Sequence, residues 1–250
     1  QRIVPASGEA IEYGALLLAT GAVPALPPIP GLDRVPFHVL RTLEDAVRLR
    51  ERMLEARKAV VLGAGLIGLH AAECLLRGGC EVTVVEALPH VAPGYFDPDA
   101  ARRLEEIFTS HGVRILAGKK AAAVEGDGTS VLVALDSGDR LEADLLLAAT
   151  GVRCNTGYLE GSGIEVDLGI RVDARMQTNV PHVWAAGDAA QAPALFGEGT
   201  AVIPTVMNAV EQGRLAGIGM AGDPDPPVYA GTMAANTSGF FGHRAFSVGL

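Results

Sequence analysis

The chain has 250 residues, 49% of them apolar and 20% charged, a balance that suits a well-buried α/β protein and excludes a disordered one. A net charge of −9 excludes a nucleic-acid-binding surface. No apolar run reaches the roughly 18 residues of a membrane span and no signal-peptide pattern is present, so the expectation is a cytoplasmic protein.

Ala15–Ala19 reads as a continuous apolar strand closed by Thr20-Gly21. Five prolines between Pro24 and Pro36 forbid a regular helix and mark a crossover between domains. A helix starts near Thr42, where Thr42-x-x-Asp45 resembles a capping box, and Leu43, Ala46, Val47, Leu49 and Met53 give it an apolar stripe.

The run from Lys58 to Glu86 carries the most information. Val60–Leu62 is the core of a strand, Gly63, Gly65 and Gly68 form G-x-G-x-x-G, and a helix runs to about Arg77 before Gly78-Gly79 stop it. Val82–Val85 is the next strand, and it ends in Glu86. Gly63 permits the tight turn, Gly65 lets a pyrophosphate approach the backbone, and Gly68 lets helix and strand pack closely. Gly65, Leu66 and Ile67 open the helix, whose unpaired N–H groups face the phosphates. Glu86 stands 18 residues beyond Gly68, placed to accept from a ribose 2′-hydroxyl and to repel a 2′-phosphate. No Arg or Lys lies in Ala87–Val91, so the expected nucleotide is NAD(H) rather than NADP(H).

After a loop at Pro89–Phe96, Asp97 caps a helix that takes Pro98 first and closes at Gly112, with Leu104, Ile107 and Phe108 as its buried face. Val113–Leu116 is a third strand. Ala121–Val124, Val131–Leu135 and Arg140–Leu141 make a β-meander split at Gly126-Asp127-Gly128 and Ser137-Gly138. Leu145–Ala149 is another buried strand, ended by Thr150-Gly151. The strand ending in Ala-Thr-Gly thus occurs twice, with the whole dinucleotide segment between. That pattern reads as one domain inserted in another. Beyond it come a strand at Val183–Ala186, a helix near Ala201–Met220 and a Pro-rich stretch from Asp223 to Val228.

Thr178 opens a second pattern: Thr, four residues, an apolar strand, then Gly187-Asp188. Gly187 lets the chain pass close to a ligand, and Asp188 at the strand end can accept from a polyol hydroxyl. On these motifs, in this order, the chain closely resembles the two-dinucleotide-binding flavoproteins, the pyridine nucleotide–disulfide oxidoreductases. The resemblance implies a Rossmann-like NAD domain (parallel sheet plus β-meander, 31–151) inserted in a partial FAD-binding α/β domain (1–30 and 152–228). A C-terminal interface domain would begin at 229–250. It implies FAD and NAD as cofactors, with Asp188 on the ribityl chain and with Thr20-Gly21 and Gly151 joining the two domains. Ala209-Val-Glu-Gln212-Gly213 resembles the helix start that faces the flavin pyrimidine, where the dipole favours negative charge. The subgroup it resembles is the ferredoxin, rubredoxin and nitrite reductase-like NADH oxidoreductases.

Three positions depart from that pattern. The FAD-phosphate G-x-G-x-x-G, expected near the N-terminus, does not precede the first Ala-Thr-Gly. The family's Glu after the third glycine is His70 here; it either packs on the nicotinamide carboxamide or is an ordinary helix residue, with Glu73 one turn on as a substitute. Cys154 stands where Pro is usual, and it reads as a small packing residue. Cys74 and Cys80 read as core, and no C-x-x-C or zinc spacing occurs among the three. The chain opens on Gln1 and ends on an apolar run, so it reads as part of a longer protein.

The expected activity, as the resemblance implies it, is FAD-dependent NADH oxidation, with hydride passing from NADH to the flavin and electrons onward to a protein or small redox acceptor, among them a ferredoxin- or rubredoxin-type protein, a disulfide, oxygen or partner subunits. The alternatives are an electron-input subunit of a 2-oxoacid or aldehyde dehydrogenase complex and a non-catalytic NAD-binding module. A homodimer of the full-length protein is expected from the resemblance. No catalytic acid or base is named, no histidine spacing suits a metal, and Trp184 reads as core.

Overall fold

A computed structural model describes residues 2–249. The chain starts with a short antiparallel pair, β1 (Arg2–Ile3) and β2 (Ile11–Glu12), then β3 (Leu16–Leu18) and β4 (Ala22–Pro24). Helix α1 (Leu43–Met53) begins on a complete capping box. Thr42 Oγ1 accepts the Asp45 N–H at 3.1 Å, and Asp45 Oδ2 accepts the Thr42 N–H at 2.9 Å. Next come β5 (Lys58–Leu62), α2 (Leu66–Arg77), β6 (Glu81–Glu86), α3 (Pro98–Ser110) and β7 (Arg114–Ala117). A meander of β8 (Ala121–Gly126), β9 (Val131–Leu135) and β10 (Arg140–Ala143) leads into β11 (Leu145–Ala148). Then follow β12 (Val152–Cys154), β13 (Ile170–Arg171), β14 (Val183–Ala185), β15 (Ala190–Pro193) and β16 (Thr200–Ala201). Helix α4 (Val206–Met220) and the hairpin of β17 (Ala235–Phe240) and β18 (His243–Val248) complete the order.

The chain divides into two compact units. One is the chain up to Val23 with Arg153–Ala234; the other is Pro24–Val152 with the chain from Ala235 on. The second unit holds a parallel sheet in the order β11-β5-β6-β7. Both its faces are covered, which is why its strands are nearly unbroken apolar runs. Side chains alternate between two cores. Ala59, Val61, Val82, Val84, Leu145 and Leu147 face one that also holds Leu69, Leu75 and Phe108 from α2 and α3. Val60, Leu62, Val85 and Leu146 face the other, closed by Val124, Val133 and Leu141 of the meander. The β17–β18 hairpin joins the first core through Phe240, which is fully buried and lies 5.4 Å edge-on from Phe108.

The first unit is built from short sheets and one long helix. β3 and β14 pair in parallel, β13, β15 and β16 form a second sheet, and α4 closes their core with Leu215 and Ala216. Trp184 is buried there, against the backbone of α4 at Gly219.

Several expectations need correcting. The apolar stripe of α1 does not face inward at its start: Leu43 is 76% exposed and Val47 48%, while Leu49 is buried. The capping box turns the first turn so that Asp45, not Leu43, lies inside. Helix α4 starts at Val206 rather than near Ala201, because Ala201 pairs with Ala192 in β16 and Thr205 is the N-cap. Cys74 is exposed, whereas Cys80 is buried with its thiol donating to the Ala56 carbonyl at 3.5 Å.

Candidate dinucleotide site

The second unit contains a cavity of about 770 Å3 at the carboxyl ends of its parallel strands. This is the crevice where open α/β sheets bind ligands. Its wall includes Gly63, Gly65, Leu66, Ile67, Glu86 and Gly151. Gly68 lies buried beneath them.

The glycine turn has the shape its sequence implies. Gly63 has φ +98°, and a Cβ there would sit 2.5 Å from the Ala149 carbonyl oxygen. A Cβ on Gly68 would collide with the Gly63 carbonyl oxygen, so α2 can lie this close to β5 only with glycine. A Cβ on Gly65 would meet nothing within 4 Å, which leaves the floor open to a ligand. No side chain caps α2, so its first-turn N–H groups remain available to an anion. The turn is braced by the Ala92 N–H, which donates to the Ala64 carbonyl at 2.8 Å.

Glu86 is buried at the end of β6 and held at both oxygens. Oε2 accepts the Ala64 N–H at 2.7 Å, and Oε1 accepts the Leu88 N–H at 2.9 Å. Each carboxylate oxygen keeps a second lone pair for a ribose hydroxyl. These residues fit an NAD(H) dinucleotide: a cradle free of Cβ atoms for the pyrophosphate, and an acid at the ribose position.

Other residues reached the cavity without a signal in their spacing. The loop after β7 runs beside the chain after β6, with Gly118 N–H on the Leu88 carbonyl (2.8 Å) and Lys119 N–H on the Glu86 carbonyl (2.9 Å). It brings Lys119 and Lys120 to the wall, far along the chain from the Ala87–Val91 window searched for a cation. Tyr95 also lines the cavity, and its carbonyl accepts from Ser247 Oγ of β18 at 2.6 Å. The rule that strand ends converge on the crevice would have pointed to Lys119.

His70 and Glu73 are absent from this wall. The His70 ring packs on Phe240 with centroids 4.5 Å apart. Glu73 accepts the Phe241 N–H at 3.1 Å and pairs with Arg77 at 2.7 Å. Both tie the hairpin to α2, which favours the ordinary helix reading of His70.

The first unit holds the second motif. Gly187 and Asp188 turn away from β14 in a short 3-10 turn with Gly187 at φ +75°. Gln212 is almost fully buried, and its Oε1 accepts the Gly187 N–H at 2.8 Å. It therefore positions the Gly-Asp turn from α4. The Cys154 thiol donates to the Asp188 carbonyl at 3.1 Å, and burial pushes its pKa up, so it is a packing group rather than a nucleophile. The two Ala-Thr-Gly segments are built alike. Gly21 accepts the Asn155 N–H at 2.9 Å in one unit, and Gly151 accepts the Ala25 N–H at 3.0 Å in the other. Thr20 and Thr150 donate to the carbonyls of the same two residues, Asn155 and Ala25.

A strand–glycine turn–helix at the mouth of a parallel sheet, with an acid at the end of the next strand, defines a dinucleotide-binding α/β protein. The match over residues 2–213 to the pyridine nucleotide-disulphide oxidoreductase family shows that the chain belongs to that family. It is 50% identical over 245 residues to the NADH-dependent phenylglyoxylate dehydrogenase subunit epsilon of Aromatoleum evansii, covering 98% of this chain and 58% of that protein. It is 32% identical to the rubredoxin-NAD(+) reductase of Pseudomonas putida, covering 88% and 57%. The water-forming NADH oxidase of Lactobacillus brevis, solved with NADH, matches with a TM-score of 0.89 at 31% identity over 97% of this chain and 53% of that one. The chain thus spans a little over half the length of these relatives.

Proposed function

We propose that this chain carries the NAD(H) site and part of the flavin site of an NADH-dependent flavoprotein oxidoreductase. The observation that carries the reading is the open glycine turn with Glu86 fixed beside it in one cavity. In such an enzyme the bound nicotinamide and flavin supply the hydride and electron chemistry. The chain's own residues bind and orient. The α2 N-terminus receives the pyrophosphate, Glu86 the adenosine ribose, and Asp188, set by Gln212, the ribityl hydroxyls. Thr20-Gly21 and Gly151 would carry the chain past both cofactors.

Electrons then pass to a protein acceptor. The relative named for rubredoxin supports a small redox protein as that acceptor. The relative at 50% identity is a subunit of a phenylglyoxylate dehydrogenase, and this supports the second reading, an electron-transfer subunit beside partner subunits that oxidise a 2-oxoacid. Residues 1–30 and 152–228 would be the flavin-binding part, and 229–250 the start of an interface domain through which the full-length protein dimerises. A cytoplasmic location accords with three unpaired cysteines.

Titration calorimetry of the chain with NADH and NADPH tests the nucleotide reading. Binding of NADH with at least about tenfold preference over NADPH is expected. Equal affinities, or no binding of either, would overturn it. Flavin bands in the visible spectrum after incubation with FAD test the second site by itself.

A further inference from the structure

Glu86 does not stand alone at the strand end. Its two oxygens are gripped by the N–H groups of Ala64 and Leu88, one from the glycine turn and one from the chain leaving β6. Two backbone donors converging on one point make an anion seat. The carboxylate of Glu86 fills it. A third component faces the same cavity: the half-buried Lys119, whose backbone is fixed beside Glu86 by its N–H bond to the Glu86 carbonyl at 2.9 Å. Among the described residues, no carboxylate is within ion-pair distance of the Lys119 ammonium.

We propose that Lys119 is a second specificity-determining residue of this pocket, set against Glu86. The carboxylate occupies the place of a 2′-phosphate: the Ala64 and Leu88 N–H groups form an anion seat beneath it, and Lys119 stands on the wall of the same cavity, beyond ion-pair distance of the carboxylate but free to meet a larger anion that extends from the seat. Preference for NADH is then a balance between two opposed side chains rather than the work of the acid alone. Removing the acid frees both N–H donors and leaves Lys119 on the same wall, so a cation is already at hand for the phosphate of NADPH. This inference rests on the NAD(H) reading of the cavity.

The test is a double-mutant cycle on the full chain, with Glu86→Ala, Lys119→Ala and the double variant titrated with NADH and NADPH by calorimetry. Glu86→Ala is expected to weaken NADH about tenfold and to tighten NADPH about tenfold or more. The double variant is expected to lose most of that gain, and Lys119→Ala alone to weaken NADPH while moving NADH less than about threefold. A gain of NADPH affinity that is the same with and without Lys119 overturns the proposal. So does Glu86→Ala that still binds NADH yet gains nothing for NADPH. Failure of the parent chain to bind either nucleotide would instead strike the NAD(H) reading beneath it. Should Glu86→Ala not fold by circular dichroism, Glu86→Ser, which also empties the seat, enters the cycle with the same expectations. A second readout is salt: NADPH affinity of the acid-free variant should fall with ionic strength more steeply when Lys119 is present.

Discussion

Two glycines of the turn are irreplaceable for different reasons. Gly63 needs a left-handed backbone and sits under the Ala149 carbonyl, while Gly68 lets α2 touch the turn itself. Gly63→Ala must therefore strain the backbone and push β5 from β11. We expect a loss of about 2–4 kcal/mol in chemical denaturation, with NADH affinity reduced in whatever fraction folds. A variant as stable as the parent would show that the turn can relax. These glycines were legible in the sequence because a tight turn admits few residues. Lys119 was not, since its place depends on how the end of β7 lies beside β6, a fact of sheet order that spacing does not carry. The motif alone would also mislead. Gly217, Gly219 and Gly222 repeat the G-x-G-x-x-G pattern at the end of α4, with no strand before it and no helix after.

At the scale of elements, α4 serves the first unit as a scaffold for the Gly187-Asp188 turn. Asn208 Nδ2 donates to the Ile203 carbonyl at 2.9 Å, and the Tyr229 hydroxyl bonds Asn208 Oδ1 at 2.6 Å. Burial raises the Tyr229 pKa, which keeps its hydroxyl protonated. Gln212 completes this buried set through Gly187. Gln212→Leu keeps the volume but orphans the Gly187 N–H. We expect a cost of about 1–3 kcal/mol in unfolding, together with weaker FAD uptake in the visible spectrum. Uptake unchanged at reduced stability would confine Gln212 to a structural role. The sequence marked this residue by resemblance, as part of a helix start facing the flavin. Its side chain points back to the Gly187-Asp188 turn, because a buried amide must find its partner within the core.

In the whole molecule, insertion is a matter of chain order: Pro24–Val152 interrupts the first unit, and the repeated Ala-Thr-Gly segments mark both crossings. That much followed from repetition alone. The return of the chain from Ala235 onto α2 did not, because an antiparallel hairpin carries no mark of what it packs against. Titration of the whole chain should show two separate losses of stability with falling pH. The His38 pKa lies below its ordinary 6.5, first from burial and then from the charges of Arg52 and Arg48, with Asp45 opposing. A histidine neutral in the fold but protonated in the unfolded chain stabilises fully above 6.5. It loses that contribution as the pH falls from there toward its folded value. Asp144, whose Oδ2 accepts the Lys58 and Arg57 N–H groups at 2.9 Å, and Asp45 at the Thr42 cap are both held below the ordinary 3.8. Their contribution is intact above 3.8 and disappears beneath it. Urea midpoints measured from pH 8 to 3 should therefore decline first below about 6.5 and again, more steeply, below about 4. His38→Gln should abolish the earlier decline and spare the later one, while Asp144→Asn should shrink only the later one. An early decline that survives in His38→Gln would assign it to another group.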